Sequence, residues 1–302
     1  MEQIIQEMKN IGIQDVRVNE PLSRHTTWKV GGPADLLIYP RNKEELEQAM
    51  QVVYRHQIPW RVIGRGSNLL VRDGGIRGVV FKLDEGFNEL KVDGTRVTAG
   101  GGYSTILLAT MTSRQGLTGL EFAAGIPGNV GGAVYMNAGA HGSEISKVLH
   151  SATVLLETGE WVTLSNEEME FRYRTSVLQT KLKGIVTEAS FTLEYGERDE
   201  IMSRLTSYKD RRRKTQPLQY PCAGSVFRNP PGDYAGRLIQ EAGLKGFRIG
   251  DAEVSTTHAN FIINRGNATA KNVLQLIEHI IQTIEEKYNI RLEPEVQVVG
   301  EE

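Results

Sequence analysis

A chain of mixed helices and short strands folded around two or three cores is what this sequence predicts, and three observations predict it. A length of 302 residues, 39% hydrophobic and 24% charged, suits a globular protein too large for one core. Short apolar runs bounded by turn residues recur through the first two thirds as strand and hairpin signals. Capped segments of helical period lie among them, and the longest comes near the C-terminus.

Taken in order, Met1 to about Asn19 reads as an appended amphipathic helix and its connection, without leader features. Glu20 to Asp35 is polar, glycine-marked and non-periodic, the pattern of a linker or a ligand loop. Leu36–Tyr39 is a short apolar run. Asn42 with Glu45 three residues on predicts a capping box for a helix to about His56. Strands follow at Trp60–Ile63, Val79–Leu83, Leu90–Val92 and Arg96–Thr98, the last two joined by an Asp93-Gly94 turn. A helix runs from Ser104 to about Gln115 and stops at Gly116. Ser151–Leu156 and Trp161–Leu164 form another hairpin signal, Ser165 with Glu168 caps a turn of helix, and Ile185–Leu193 alternates as a strand. A charged helix spans Glu197 to about Lys214, and a shorter one Tyr234–Ala242 is closed by Gly243. After a strand at Asn260–Asn264, Val273, Leu276, Ile277, Ile280, Ile281 and Ile284 make one apolar stripe that must pack on a sheet.

Composition excludes several functions. A net charge of −2 lacks the basic excess that phosphate-backbone binding needs. The single Cys222 excludes an internal disulfide framework and fits a reducing compartment, so a cytoplasmic protein is expected. No run approaches the roughly 20 apolar residues that span a bilayer. The six histidines are scattered, with no metal pattern, and no metal is expected. His258 reads either as lining a ligand site or as a satisfied buried histidine, while Asp35 and Asp84 read as surface or turn groups.

Two glycine-rich stretches stand out as candidate ligand loops. Gly125 to Gly142 is dense in glycine and small residues, and bare backbone N–H groups in such turns hold phosphate without a lysine. The expectation is a dinucleotide pyrophosphate, the alternative a set of tight turns. Gly64-Arg65-Gly66-Ser67-Asn68-Leu69 follows a strand, where phosphate turns sit, but it lacks the third glycine of a Rossmann fingerprint and the Gly-Lys-Ser/Thr of a Walker loop. Lys209 to Lys214 is a basic run that reads either as a solvated helix end favoured by the helix dipole or as a patch for an anionic ligand.

Five blocks then occur in order: Gly64-Arg65-Gly66-Ser67-Asn68; Gly125-Ile126-Pro127-Gly128 through Asn137-Ala138-Gly139; Tyr173-Arg174-Thr175-Ser176; Ala223-Gly224-Ser225-Val226-Phe227-Arg228-Asn229-Pro230; and Leu292-Glu293-Pro294-Glu295-Val296. This set, within a match from Arg24 to Gly300, resembles the UDP-N-acetylenolpyruvoylglucosamine reductase family. The resemblance implies an α+β protein with an FAD-binding domain of the vanillyl-alcohol-oxidase (PCMH) type in two subdomains and a C-terminal α+β substrate-binding domain. The implied boundaries are an N-terminal helix and linker at 1–22, FAD-binding subdomains at 23–85 and 86–196, and a substrate domain at 197–302 whose last strand returns toward the flavin.

The same resemblance implies tightly but non-covalently bound FAD and NADPH as reductant. Gly64, Arg65, Gly66, Ser67, Asn68, Leu69, Gly125, Ile126, Pro127, Gly128, Gly131, Gly132, Asn137 and Gly139 would hold the cofactor. Ser225 matches the family's proton donor, Arg174 the arginine that stabilises the enolate, and Glu295 the glutamate paired with that arginine. Asn229, Arg228 and Tyr173 would contact substrate, although from the residues alone Tyr173 reads as packing and Arg172 as surface. The chain lacks the tyrosine-bearing loop of longer members and so resembles the shorter, type II form, with the basic run taking part of that loop's role. A monomeric enzyme making UDP-N-acetylmuramate is expected, with the cell-wall, cell-shape and division roles that follow. The rival readings are another FAD oxidoreductase of the same fold and a non-catalytic nucleotide-binding module.

Overall fold

The computed structural model describes residues 1–302. They form two compact units, each discontinuous in sequence. The first comprises residues 1–18, 36–64 and 78–211, and the second 19–35, 65–77 and 212–302. The four consecutive segments expected from the sequence are thus interleaved: two early stretches join the C-terminal part. No helix is long and apolar enough to cross a membrane.

The first unit holds two cores. One lies under a four-stranded sheet ordered Val16–Pro21, Pro33–Ile38, Ile76–Lys82, Trp60–Ile63, of which residues 16–18, 36–38, 78–82 and 60–63 belong to this unit, and draws in Leu36, Ile38, Val79 and Phe81 with Leu46 and Met50 of the Lys43–Arg55 helix. Met8 of the Glu2–Asn10 helix packs into it. The other lies against a five-stranded antiparallel sheet ordered Trp161–Ser165, Leu149–Leu156, Gly184–Thr192, Arg96–Gly100, Leu90–Asp93. Leu108 of the Thr105–Arg114 helix and Val134 of the short Val130–Tyr135 helix close that core.

Local signals were sound where the partner is near in sequence. Ser104 caps its helix, and Thr269 with Asn272 makes a reciprocal capping box for Ala270–Tyr288, whose buried face carries Val273, Leu276, Ile277, Ile280 and Ile284. Three expectations need correction. Asn42 does accept from the Glu45 N–H, but the Glu45 carboxylate reaches back one residue further, to the Arg41 N–H and guanidinium. Ser165 and Glu168 exchange capping bonds around a turn that never becomes a helix. Val16–Pro21, expected within a linker, is the edge strand of the first sheet, and its largely exposed residues show no buried face to betray it.

The second unit has a three-stranded antiparallel sheet of Arg248–Ile249, Ala252–Val254 and Ile262–Asn264, covered by the Ala235–Glu241 and Ala270–Tyr288 helices. Two early stretches are bolted into it. Trp28 is fully buried; its Nε1–H donates to the Ile262 carbonyl at 2.7 Å, and Asn264 Nδ2 donates to the Trp28 carbonyl at 3.0 Å. The Asp73 carboxylate accepts from the Ala270 and Lys271 N–H groups, both at 2.9 Å, capping the long helix from a distant part of the chain. Leu69–Val71 also pairs in parallel with Gln297–Val299.

Asp73→Ala removes a negatively charged cap from two orphan N–H groups at the positive end of a helix dipole. Chemical denaturation is expected to show a loss of about 1–2 kcal/mol, with Asp73→Asn losing less because its carbonyl still accepts.

Candidate active site

In the first unit the glycine-rich segment is a short 3-10 turn, Glu121–Gly125, followed by the Val130–Tyr135 helix and a small hairpin of Gly139–Ala140 with Ser143–Glu144. Thr105 pins its centre: Oγ1 donates toward the Ile126 and Gly128 carbonyls at 2.5 and 3.0 Å, and its N–H donates to Gly128 O at 3.1 Å. Nothing in the sequence distinguished Thr105 from an ordinary helical threonine.

One buried oxygen and two glycine positions bear on where a ligand could lie. Asn129 Nδ2 donates to the Gly102 carbonyl, which leaves Asn129 Oδ1 buried with no protein partner. A buried acceptor without a donor is costly, so this one is suited to a donor brought by a bound molecule. A side chain at Gly64 would run into that same oxygen, at 2.5 Å from the Cβ position. At Gly132, by contrast, a Cβ would meet nothing within 4 Å. Protein packing therefore does not require glycine at 132, which is exposed and open to a ligand.

Arg174 sits at the end of the same segment. Tyr173 and Arg174 are the central residues of a tight turn in which Arg172 and Thr175 exchange backbone bonds of 3.0 Å. Arg174 takes φ +54°, a left-handed conformation that costs a residue with a Cβ about 1–2 kcal/mol. Its guanidinium donates to Gly139 O at 2.8 Å and lies over the exposed Tyr173 ring, 4.9 Å from the centroid. Asn137 anchors this corner. Its Nδ2 donates to Glu144 Oε1 and the Arg172 carbonyl, and its Oδ1 accepts from the Ser146 N–H. Both amide donors thus serve the protein, as do its backbone N–H, which donates to Val134 O at 3.1 Å, and its carbonyl, which accepts from the Arg174 guanidinium at 3.5 Å.

Ser225 and Glu295 come together in the second unit. Gly224, at φ +72°, turns the chain as glycine can, and the next four residues run antiparallel to Glu293-Pro294-Glu295. The Glu295 N–H donates to Val226 O at 2.7 Å and the Arg228 N–H to Glu293 O at 2.9 Å. Pro294 faces Phe227 where the ladder asks for no donor, so the proline costs nothing there. Asn68 of the first glycine turn joins them: Nδ2 donates to the Glu295 carbonyl at 3.2 Å, and its own carbonyl accepts from Gln297 N–H at 2.9 Å. Gly66 and Ser67 lie in the same turn, and Arg65 is exposed.

Arg228 Nε is buried and unpartnered, a donor available to an anionic group. Asn229 Oδ1 accepts from the Ala235 N–H at 3.1 Å and so holds the start of the Ala235–Glu241 helix. His258 Nδ1 accepts from the Asn260 N–H, and burial, with Lys245 behind it, holds the imidazole below its ordinary pKa. Within the basic run, Lys209 donates to Thr110 Oγ1 and Arg212 to Gln216 Oε1, while Arg211, Arg213 and Lys214 are exposed.

With this geometry in hand, comparison with known proteins is informative. Residues 34–165 match the family model described as FAD binding domain, and residues 216–299 the one described as UDP-N-acetylenolpyruvoylglucosamine reductase, C-terminal domain. The chain is 57% identical over 301 residues to the UDP-N-acetylenolpyruvoylglucosamine reductase of Bacillus licheniformis, covering 100% of this chain and 99% of the relative. It is 53% identical over 300 residues to that of Bacillus subtilis, covering 99% of each. A crystal structure of the reductase from Thermus caldophilus superposes with a TM-score of 0.81 at 40% identity, covering 95% of this chain and 98% of that one. A berberine bridge enzyme in complex with (S)-reticuline reaches 0.51 at 12% identity, over 66% of this chain and 44% of that one, and shares the fold. The fold is α+β, with the FAD-binding domain of the vanillyl-alcohol-oxidase type.

The depressed His258 imidazole has a stability consequence. Because its folded pKa lies below the unfolded value, the associated stability is present above about pH 6.5 and lost as pH falls through the folded pKa. Chemical denaturation at stepped pH is expected to show the unfolding free energy falling below about pH 6.5, and His258→Gln to flatten part of that fall.

Proposed function

The chain belongs to the UDP-N-acetylenolpyruvoylglucosamine reductase family, and on that premise we propose how its own residues carry the reaction. The protein is a flavoenzyme that reduces UDP-N-acetylglucosamine enolpyruvate to UDP-N-acetylmuramate in peptidoglycan precursor synthesis. It acts in the cytoplasm as a monomer, upstream of wall assembly, cell shape and division.

The observation that carries the flavin reading is the buried, unpartnered Asn129 Oδ1 beside Gly64, together with the unfilled space at Gly132. Gly64 to Leu69 and the backbone from Gly125 to Gly139 hold FAD, Asn129 supplies an acceptor, and residues 23–196 carry most of the cofactor contacts. Bound FAD would supply hydride chemistry, with NADPH as the source of the hydride and the terminal alkene carbon of the enolpyruvyl group as its destination.

The remaining chemistry falls to side chains. As that carbon gains hydride, negative charge develops on the ether-bearing carbon and its carboxylate, and preorganised donors stabilise it best. Arg174 meets this need with a planar guanidinium whose backbone is already locked in its turn. Ser225 gives its proton to the ether-bearing carbon, completing the lactyl ether. Glu295 takes the carboxylate role that the family match gives it, and Ser225 and Glu295 are held on neighbouring antiparallel segments. In the 197–302 segment, Arg228 and Asn229 face the nucleotide sugar with Tyr173 as a lesser contact, and the basic run contributes to its diphosphate.

Ser225→Ala should leave flavin reduction by NADPH intact and slow flavin reoxidation by the enolpyruvyl substrate by more than about a hundredfold in anaerobic stopped-flow traces. Unchanged reoxidation would remove Ser225 from the acid role. Gly132→Ala should leave the folded protein as stable as wild type while weakening flavin retention on gel filtration; full retention would show that no ligand lies on that backbone.

A further inference from the structure

We propose that Asn260 is a positioning residue for the proton-transfer step, an inference that rests on the role assigned to Ser225 above. Phe227 stands opposite Pro294 in a pair that exchanges no hydrogen bonds, so its N–H and C=O point away from the Glu293–Glu295 strand. Phe227 is buried, and those two groups need partners. The Asn260 carboxamide supplies both: Oδ1 accepts from Phe227 N–H at 2.9 Å, and Nδ2 donates to Phe227 O at 2.8 Å.

The Asn260 backbone adds to the clamp. Its carbonyl accepts from the Val226 N–H at 2.9 Å, and its N–H is fixed on His258 Nδ1 at 3.2 Å. Asn260 itself is buried, 4% exposed, so no water substitutes freely for these bonds. The strand carrying Ser225 is therefore gripped on one edge by Glu293 and Glu295 and on the other by a single side chain acting as a surrogate peptide. One planar amide with a donor and an acceptor side by side is the requirement. Aspartate presents two acceptors, one of them against the Phe227 carbonyl, and leucine presents neither group.

Ser225 follows Gly224, a left-handed hinge whose Cβ position meets nothing within 4 Å. Packing at that glycine does not hold the serine; upstream the chain is tied at Pro221 and Cys222 to Ile263 and Asn264, and downstream the Val226-Phe227 clamp holds it. Because Val226 O also receives the Glu295 N–H, a shift at Phe227 moves both candidate catalytic residues. Small misplacements of reacting groups carry large rate penalties.

The test is a double-mutant cycle on the FAD-loaded enzyme, reading the two half-reactions separately by anaerobic stopped flow. Asn260→Ala is expected to slow flavin reoxidation by the enolpyruvyl sugar nucleotide about tenfold or more, with flavin reduction by NADPH within about twofold of wild type. In a Ser225→Ala background the same change is expected to cost clearly less than in wild type, because the part of its effect that passes through Ser225 is gone and only the part through Glu295 remains. An equal effect in both backgrounds, or equal slowing of both half-reactions, overturns the inference and leaves Asn260 a general structural residue. Should Asn260→Ala fail to fold, Asn260→Asp keeps the question open to measurement. Its neutral carboxyl regains a donor, so reoxidation relative to wild type is expected to recover toward low pH, and no recovery overturns the inference. A wild-type flavin that the enolpyruvyl substrate does not reoxidise instead brings down the functional reading itself.

Discussion

The buried Trp28 is the fastening on which the second unit depends. A fully buried indole with its N–H on Ile262 O, answered by Asn264 on the Trp28 carbonyl, joins an early stretch of chain to the C-terminal sheet. Asp73 repeats the device at the N-terminus of the long Ala270–Tyr288 helix. Between these two anchors runs the turn of Gly66, Ser67 and Asn68, which reaches the Glu295 carbonyl. A stretch that reads as a loop following a strand is thus built into the same unit as Ser225. The Asn68 turn and the Ser225 segment share one hydrogen-bonded framework through Glu295.

The first unit solves a different problem, presenting backbone to a ligand without collapsing onto itself. Thr105 holds the Ile126–Gly128 turn by its carbonyls, and Asn137 holds the following corner through three side-chain hydrogen bonds. Arg174 is fixed in a conformation most residues avoid, and the paired backbone bonds of Arg172 and Thr175 keep it there. Strain of this kind persists only where surroundings impose it, and it gathers at functional sites.

How much of this was legible in the sequence depended on how far apart the partners lie. The helix capped by Ser104 and the apolar stripe from Val273 to Ile284 are local patterns, and they were read correctly. Leu69–Val71 was invisible as a strand because its partner, Gln297–Val299, is at the other end of the chain. Asn260, Thr105 and Asn129 carry no local signature; each acquires its role from a contact that only the fold creates. Asn137 shows the opposite case. The motif marked it for the cofactor, while its amide donors turn out to hold the protein corner under Arg174. The ordered blocks nonetheless pointed to the family, because five of them in one order constrain far more than any single glycine pattern.

The account stands most directly on an anaerobic titration of the purified protein, followed by flavin absorbance. It predicts a yellow protein that NADPH bleaches and that UDP-N-acetylglucosamine enolpyruvate, added next, returns to the oxidised spectrum with formation of UDP-N-acetylmuramate. A protein that takes up no flavin, or a bleached one whose colour the enolpyruvyl nucleotide does not restore, would contradict it.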